Sequence, residues 1–218
     1  MANIAPFEAH TERYEEWFEE HGDLYAAELE AVRSLLPPFK KGIEIGVGTG
    51  RFAEPLGIEE GVEPSKKMAA YAKARGIRIH EGSAEALPLP SGSYDFVLMV
   101  TTICFVDDPH ESLREIHRIL RPGGYVLVGF VDKETPLGRH YLQNRRKSRF
   151  YRTATFFSCD EVKALLHDAG FAECEAVQTL FGESLERMEG GVKKGCGEGA
   201  FVAIRCRKPG RKREGEKA

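Results

Sequence analysis

The chain has 218 residues, of which 42% are hydrophobic and 30% are charged, and its formal net charge is −3. This length suits one α/β domain with short appended segments, and the composition is typical of a soluble globular protein with a buried core. No apolar run approaches the roughly 20 residues of a membrane span, and the start MANIAPFEAHTER lacks the basic and apolar parts of a secretory signal.

The five cysteines are an odd number without CxxC spacing: Cys104, Cys159, Cys174, Cys196 and Cys206. This usage predicts reduced thiols and a cytoplasmic location, and it argues against a disulfide framework or a zinc site. The seven histidines show no ligand spacing either, so we predict no metal.

The first 40 residues are predicted to form a helical leader. Apolar and aromatic residues recur at helical spacing over 7–18 and 24–36, with a break at Gly22. Such an aromatic stripe more often packs in a core than binds a ligand. Because the segment precedes the first strand, however, Tyr14 and Trp17 are also candidates for a cover over a ligand.

The segment IEIGVGTGRF at residues 43–52 reads as a strand that ends in a ligand-binding turn. Glu44 lies in the strand, and three glycines follow: Gly46, Gly48 and Gly50. Glycine permits positive φ and lets backbone groups approach a ligand, as in the nucleotide-binding turns of open α/β sheets. Arg51 stands where a dinucleotide site needs a small residue, which argues against NAD. Alone, the triplet is also compatible with a glycine-rich turn that binds nothing.

The second strand is predicted over residues 58–62, and Glu63 follows it directly. A carboxylate at this position can accept hydrogen bonds from both ribose hydroxyls of an adenosine. Ser65 caps the next helix, on which Met68 either fills the core or lies against an adenine.

Two more strands are predicted over residues 77–80 and 94–100. Because the carboxyl ends of parallel strands meet at one edge of a sheet, Thr101 and Phe105 should face the glycine turn.

Four patterns resemble, in the same order, the type-11-like group of class I S-adenosylmethionine (SAM)-dependent methyltransferases. They are EIGVGTG, Glu63, GSAEALPLP and the turn LRPGG before the fifth strand, and the resemblance covers about residues 41–207. It implies a three-layer α/β sandwich with a doubly wound, mostly parallel seven-stranded sheet that ends in an antiparallel hairpin. We predict this hairpin from residues 173–181 and 200–206.

The resemblance also implies SAM as cofactor and S-adenosylhomocysteine as product. The family often has aspartate where Ser83 stands, so the adenine contact falls to Ser83 and the backbone of Ala84. The cofactor-binding residues so implied are Glu44, Gly46, Gly48, Gly50, Glu63, Met68, Ser83, Ala84 and Thr101.

Residues 132–155 interrupt the α/β alternation where this family often inserts elements that cover the substrate. We therefore predict a leader or lid (1–40), a SAM-binding domain (41–207) and a disordered basic tail (208–218). The candidate substrate-binding residues are Tyr14, Trp17, Phe105, His140 and Tyr141. The candidates for a general base are His10, Asp107, His140 and Tyr141, none of which is assigned as catalytic.

The predicted function is transfer of a methyl group to a small-molecule acceptor by in-line displacement. The alternatives are a methyltransferase acting on RNA or protein, and a SAM-binding protein without transfer activity. Neither the leader nor the tail contains an RNA-binding motif, so nucleic acid is the less favoured partner. The insert 132–155 carries seven Lys or Arg against two acidic residues, which favours an acidic or phosphorylated acceptor. The sequence predicts no oligomeric state.

Overall fold

The computed structural model describes residues 4–184 and 187–210. The helices of this part are α1 (Ala5–Ala9), α2 (Thr11–Glu20), α3 (Gly22–Ser34), α4 (Lys66–Ala74), α5 (Pro109–Ile119), α6 (Pro136–Asn144) and α7 (Cys159–Asp168). The strands are β1 (Gly42–Ile45), β2 (Glu60–Val62), β3 (Arg78–His80), β4 (Tyr94–Val100), β5 (Leu120–Val131), β6 (Ala172–Thr179), β7 (Lys193–Lys194) and β8 (Phe201–Arg207). Single 3-10 turns lie at Glu54–Leu56, Arg145–Lys147 and Tyr151–Thr153. From residue 211 onward the predicted tail lies outside the described residues.

The strands form one sheet in the order β3-β2-β1-β4-β5-β8-β6-β7. β1 to β5 run parallel to one another, while β8 is antiparallel to both β5 and β6. This confirms the doubly wound, mostly parallel sheet with an antiparallel C-terminal part. An eighth strand, β7, was not expected, because Lys193 and Lys194 lie in a glycine-rich connection without a β pattern. They become a strand only through pairing with Val177 and Gln178.

Helices cover both faces of the sheet and bury two apolar cores. α5 and α7 pack on one face, and α3 and α4 pack on the other. The helix caps are those expected from the sequence: Ser65, Asp108 and Ser158 each accept a hydrogen bond from the backbone of the first turn. Within the described residues, no helix has the length and apolar character needed to cross a membrane.

Several local elements differ from the expectation. The leader helix is divided at His10, whose φ of −131° is not helical. The helix expected after the glycine turn is a single 3-10 turn, because Pro55 begins it and left-handed Gly57 ends it. The LRPGG segment lies within β5, where it forms an irregularity opposite Tyr94 and Phe96.

The prediction of reduced thiols is wrong for four of the five cysteines. Disulfides join Cys159 to Cys196 and Cys174 to Cys206, and Cys104 is free. The partners are 37 and 32 residues apart in sequence, so no local spacing reveals them. The antiparallel pairing of β6 with β8 brings Cys174 and Cys206 together. The thiol argument for a cytoplasmic location therefore fails, and that location stays a prediction.

Thiol labelling in denaturant checks these pairings. Without reductant the protein should react with one equivalent of a thiol reagent, at Cys104, and after reduction with five. The Cys104→Ser variant is the control and should show no reactive thiol before reduction. Five reactive thiols in the unreduced wild-type protein would contradict the disulfide assignment.

Candidate active site

A pocket of about 720 Å³, including its open mouth, lies at the carboxyl ends of β1, β2 and β4. The structure brings together seven of the nine predicted cofactor-binding residues in its wall: Gly46, Gly48, Glu63, Met68, Ser83, Ala84 and Thr101. Thr101 has a positive φ of 48°, a backbone conformation that costs energy outside glycine and is concentrated at functional sites.

Packing explains two of the three glycines in the turn after β1. All three have positive φ, between 55° and 88°. A Cβ on Gly46 would lie 2.3 Å from Cγ2 of Thr102, and one on Gly50 would lie 2.4 Å from Cδ1 of Ile77. Neighbouring side chains therefore exclude a side chain at both positions. Gly50 does not line the pocket, so its role in the structure is to let the turn pack against the chain near α4.

Gly48 has a different reason to be glycine. The atoms nearest to an added Cβ are Cε of Met68 at 3.4 Å and Oη of Tyr14 at 3.7 Å, which are ordinary contact distances. Both of these residues line the pocket. The space that a side chain would fill at Gly48 is therefore pocket space, where a ligand can approach the backbone.

Glu63 lines the pocket and holds the glycine turn in place. Its carboxylate accepts hydrogen bonds from the backbone N–H of Gly48 at 2.9 Å and of Ser65 at 2.8 Å. The residue is only 7% exposed. Burial raises the pKa of Glu63 to about 7, although the two N–H groups act in the opposite direction. A ligand that donates hydrogen bonds to this carboxylate would favour its ionised form.

Glu44 is only 2% exposed and is not part of the pocket wall. Its neighbours Ile43 and Ile45 pack in the core under α5 and α7, so strand alternation directs Glu44 to the opposite face. Its Oε2 atom has no hydrogen-bond partner among the described residues. Burial raises the pKa of Glu44 well above its usual value. Contact between Glu44 and the methionine part of SAM stays a prediction.

Aromatic rings from the leader and the insert meet over the pocket. The ring centroid of Phe7 on α1 lies 4.8 Å from that of Phe105 and 5.3 Å from that of Phe150. Tyr14 on α2 lies 6.1 Å from Phe150. The sequence reasoning missed Phe7 and Phe150. Phe7 is seven residues from Tyr14 on the same predicted helical stripe, so this spacing could have revealed it, whereas nothing local marks Phe150.

Charged side chains tie the leader to the glycine turn. Glu15 on α2 accepts hydrogen bonds from Arg51 at 2.7 Å and from Arg75 at 2.6 Å. Arg51 stands in the glycine turn at the position where a dinucleotide site needs a small residue. Here its side chain helps to hold the leader against that turn. Nearer the N-terminus, the Glu8 carboxylate accepts hydrogen bonds from Oγ of Ser65 and from the backbone at the start of α4.

Three of the five candidate substrate-binding residues lie outside the pocket wall. Trp17 stacks on His21 within the leader, with centroids 5.0 Å apart, and His140 is exposed. Tyr141 stacks on Tyr151, which the sequence reasoning missed. Tyr14 and Phe105 do line the pocket.

None of the four candidates for a general base is in the pocket wall. Among the described residues, no group of three or more His, Cys, Asp or Glu is arranged to hold a metal ion. The structure therefore adds no support for any particular acid, base or metal.

The pocket fits the cofactor that the sequence resemblance implies. The Glu63 carboxylate lies at the end of β2, where ribose hydroxyls can donate to it. Open space faces Gly48, and the apolar side chain of Met68 together with Ser83 and Ala84 lies beside it. A nucleoside with an attached amino-acid chain matches this combination of polar and apolar walls.

The covering segments should become more protected from hydrogen exchange when S-adenosylhomocysteine binds. We expect this for residues 5–20 and 136–153, because their aromatic contacts close over the ligand. Glu8→Gln should reduce the gain in the first segment, since it weakens the contact with α4. The matched control is Glu12→Gln, which changes an exposed leader carboxylate. Equal exchange with and without ligand in both segments would contradict the assignment as a cover.

Comparison with known proteins gives three results. The methyltransferase-domain family model matches residues 43–128. A Thermotoga maritima SAM-dependent methyltransferase structure, described as a possible histamine N-methyltransferase, is 54% identical with a TM-score of 0.90, covering 94% of this chain and 98% of that one. An uncharacterized protein of Methanocaldococcus jannaschii is 40% identical over 93% of this chain and 98% of its own length.

A fourth similarity concerns the fold alone. The methyltransferase in a complex with the Haloferax volcanii activator Trm112 is 19% identical, with a TM-score of 0.70, covering 96% of this chain and 99% of that one. The matches that span 93% or more of this chain include segments on both sides of residues 43–128. The similarity thus extends beyond the glycine turn and the central strands.

Proposed function

The chain belongs to the SAM-dependent methyltransferases with the class I, Rossmann-like fold, and we propose that it methylates a small-molecule acceptor beneath the leader and the insert. SAM supplies a methyl group on a sulfonium sulfur, and S-adenosylhomocysteine is the product. The observation that carries the proposal is the contact of Phe7 with Phe105 and Phe150 over the pocket. An acceptor in a covered space of this kind is a small molecule, whereas a polymer needs an open surface.

The pocket residues hold the cofactor in this proposal. Glu63 accepts hydrogen bonds from the ribose hydroxyls, and the backbone of Gly46 and Gly48 contacts the methionine part. Ser83 and Ala84 lie against the adenine. These assignments are supported by the position of all five residues in one pocket wall.

The protein's contribution to the transfer is alignment of the acceptor and exclusion of water. Correct positioning of two reactants can contribute about 7–11 kcal/mol to lowering a barrier. The rings of Phe7, Tyr14, Phe105 and Phe150 provide the apolar cover. The Thermotoga maritima relative is described as a possible histamine N-methyltransferase, and histamine is a molecule of the size proposed here.

Methyl transfer from labelled SAM tests the proposal. Purified protein is incubated separately with a deproteinised metabolite extract, with bulk tRNA and rRNA fragments, and with a protein extract. We expect label in the metabolite fraction, and its loss in Glu63→Ala, which removes the ribose contact. Label in RNA together with micromolar RNA binding in gel shifts would overturn the proposal in favour of the exposed basic insert as an RNA surface. SAM binding without labelling of any fraction would indicate a protein without transfer activity.

A further inference from the structure

The hydroxyl of Tyr14 lies over the glycine turn. Tyr14 lines the cofactor pocket, and its Oη atom is 3.7 Å from the point that a Cβ would occupy at Gly48. Apart from neighbours in the chain, it is the one polar atom of the described residues within 4 Å of that point. It makes no hydrogen bond with any residue of 4–184 or 187–210. A tyrosine hydroxyl away from bulk water usually has a partner, so the ligand of the pocket is left to supply one.

The ring of Tyr14 is held in this position by its neighbours. Three phenylalanine rings meet it edge-on, with centroid distances of 6.0 Å for Phe7, 5.1 Å for Phe18 and 6.1 Å for Phe150. The next residue on α2, Glu15, forms an ion pair with Arg51 of the turn at 2.7 Å. Packing and this ion pair therefore fix the hydroxyl relative to the turn before a ligand binds.

The hydroxyl of Tyr14 remains protonated at physiological pH. Burial raises the pKa of Tyr14, and the charges of Glu44 and Glu63 raise it further. A neutral phenol can donate a hydrogen bond to an anion, whereas a phenolate would repel it. Tyr14 thus presents a fixed donor to the pocket.

The pocket wall offers little else to an anionic group. Among the described residues that line it, Glu63 is the one charged side chain, and no Lys or Arg takes part. The N–H of Gly46 already donates to the carbonyl of Val62 at 2.9 Å, and that of Gly48 donates to Glu63 at 2.9 Å. These two N–H groups of the turn are therefore committed within the protein, and the hydroxyl of Tyr14 is not.

The strand order indicates which part of SAM lies beneath Tyr14. β3, β2 and β1 are neighbours in the sheet, and they lead respectively to Ser83, Glu63 and the glycine turn. With the adenine at Ser83 and the ribose at Glu63, the amino-acid chain of the cofactor extends to the end of β1. Its carboxylate is an anion that leaves water on binding, which is costly unless donors replace the water.

We infer that Tyr14 binds the methionine carboxylate of SAM by donating its hydroxyl hydrogen to it. This inference rests on the proposed placement of the ribose at Glu63. It assigns Tyr14, which the sequence placed near the substrate, to the cofactor instead. The leader then forms part of the SAM site and is more than a cover. A neutral hydroxyl takes the place of a cationic side chain, and its bond to a charged acceptor is stronger than one between neutral groups.

Three ligands with the same adenosine part test the inference by calorimetry. They are S-adenosylhomocysteine, its analogue S-adenosyl-3-thiopropylamine, which lacks only the carboxylate, and 5′-methylthioadenosine, which lacks carboxylate and amine. Tyr14→Phe keeps the ring and removes the hydroxyl. It should weaken S-adenosylhomocysteine about 10- to 100-fold, the range for a hydrogen bond to a charged group. Its affinity for the other two ligands should equal that of the wild type. The matched control is Tyr71→Phe, which changes an exposed tyrosine on α4 and should leave all three affinities unchanged.

The outcomes separate the inference from the placement of SAM on which it rests. Wild-type affinity of Tyr14→Phe for S-adenosylhomocysteine would overturn the inference. An equal loss for S-adenosylhomocysteine and either analogue would overturn it too, because the effect would not depend on the carboxylate. Glu63→Ala should weaken all three ligands, since each contains the ribose, and unchanged binding there would reject the placement itself. Labelling of RNA or protein would reject the small-molecule acceptor and leave the role of Tyr14 standing.

Discussion

Replacement of Glu63 by Ala should weaken SAM binding by about 3 kcal/mol, more than a hundredfold, at pH 8. Hydrogen bonds to a charged group contribute about 1.5–3 kcal/mol, and the carboxylate is expected to bind the ribose. The same change removes the acceptor of the Gly48 and Ser65 N–H groups, so the glycine turn loses its support as well. The effect should therefore lie at the upper end of the range.

Calorimetry with SAM and with S-adenosylhomocysteine measures this loss. Glu59→Ala is the matched control, because it removes an exposed glutamate directly before β2 and should leave affinity unchanged. NAD should bind neither variant nor the wild type. A folded Glu63→Ala protein with wild-type affinity would exclude Glu63 from the cofactor site.

The affinity for SAM should also depend on pH through Glu63. Burial raises the pKa of this carboxyl to about 7 in the free protein. Ribose hydroxyls donate to the ionised form, so the ligand must displace a proton below pH 7. Affinity should consequently fall by up to about tenfold for each pH unit below 7 and level off above it. Glu63→Gln, which cannot ionise, should show a flat profile from pH 5.5 to 8.5, and a wild-type profile equally flat would contradict the assignment.

Glu28→Gln should stabilise the protein relative to the wild type by an amount that grows with pH. Glu28 on α3 is only 8% exposed. Burial raises the pKa of Glu28 to about 8, against about 4.3 for an unperturbed glutamate. The folded state thus binds the proton more tightly than the unfolded state, and ionisation penalises folding. This penalty is absent below about pH 4, increases as the pH rises and is complete above about pH 8. From pH 5 to pH 9 this penalty increases by about 4 kcal/mol.

Denaturant unfolding at pH 5, 7 and 9, without ligands, gives the free energy of unfolding of Glu28→Gln and of the wild type. Other titrating groups are common to both proteins and cancel in the difference. Glu30→Gln, which changes an exposed glutamate on the same helix, is the control and should track the wild type at every pH. If the curves of Glu28→Gln and the wild type were parallel, Glu28 would ionise at the same pH in the folded and unfolded states, which would contradict the raised pKa.

The sequence alone was sufficient for the fold and for most of the predicted residues that line the pocket. The glycine turn, Glu63 and the caps Ser65, Asp108 and Ser158 are local features, since each depends on backbone conformation or on contacts within a few residues. The rule that parallel strands end at one edge then places the turn, Glu63 and Thr101 together. Seven of the nine expected cofactor-binding residues line one pocket for this reason.

Only the tertiary structure decided the disulfides, the strand β7 and the aromatic cover. Each of these depends on residues far apart in the chain, such as Phe7 with Phe150, Cys174 with Cys206 and Lys194 with Val177. Whether a buried carboxylate such as Glu44 finds a hydrogen-bond partner is likewise decided by tertiary packing. Local spacing carries no information on such distant contacts, because they form only when the whole sheet and its covering helices are assembled.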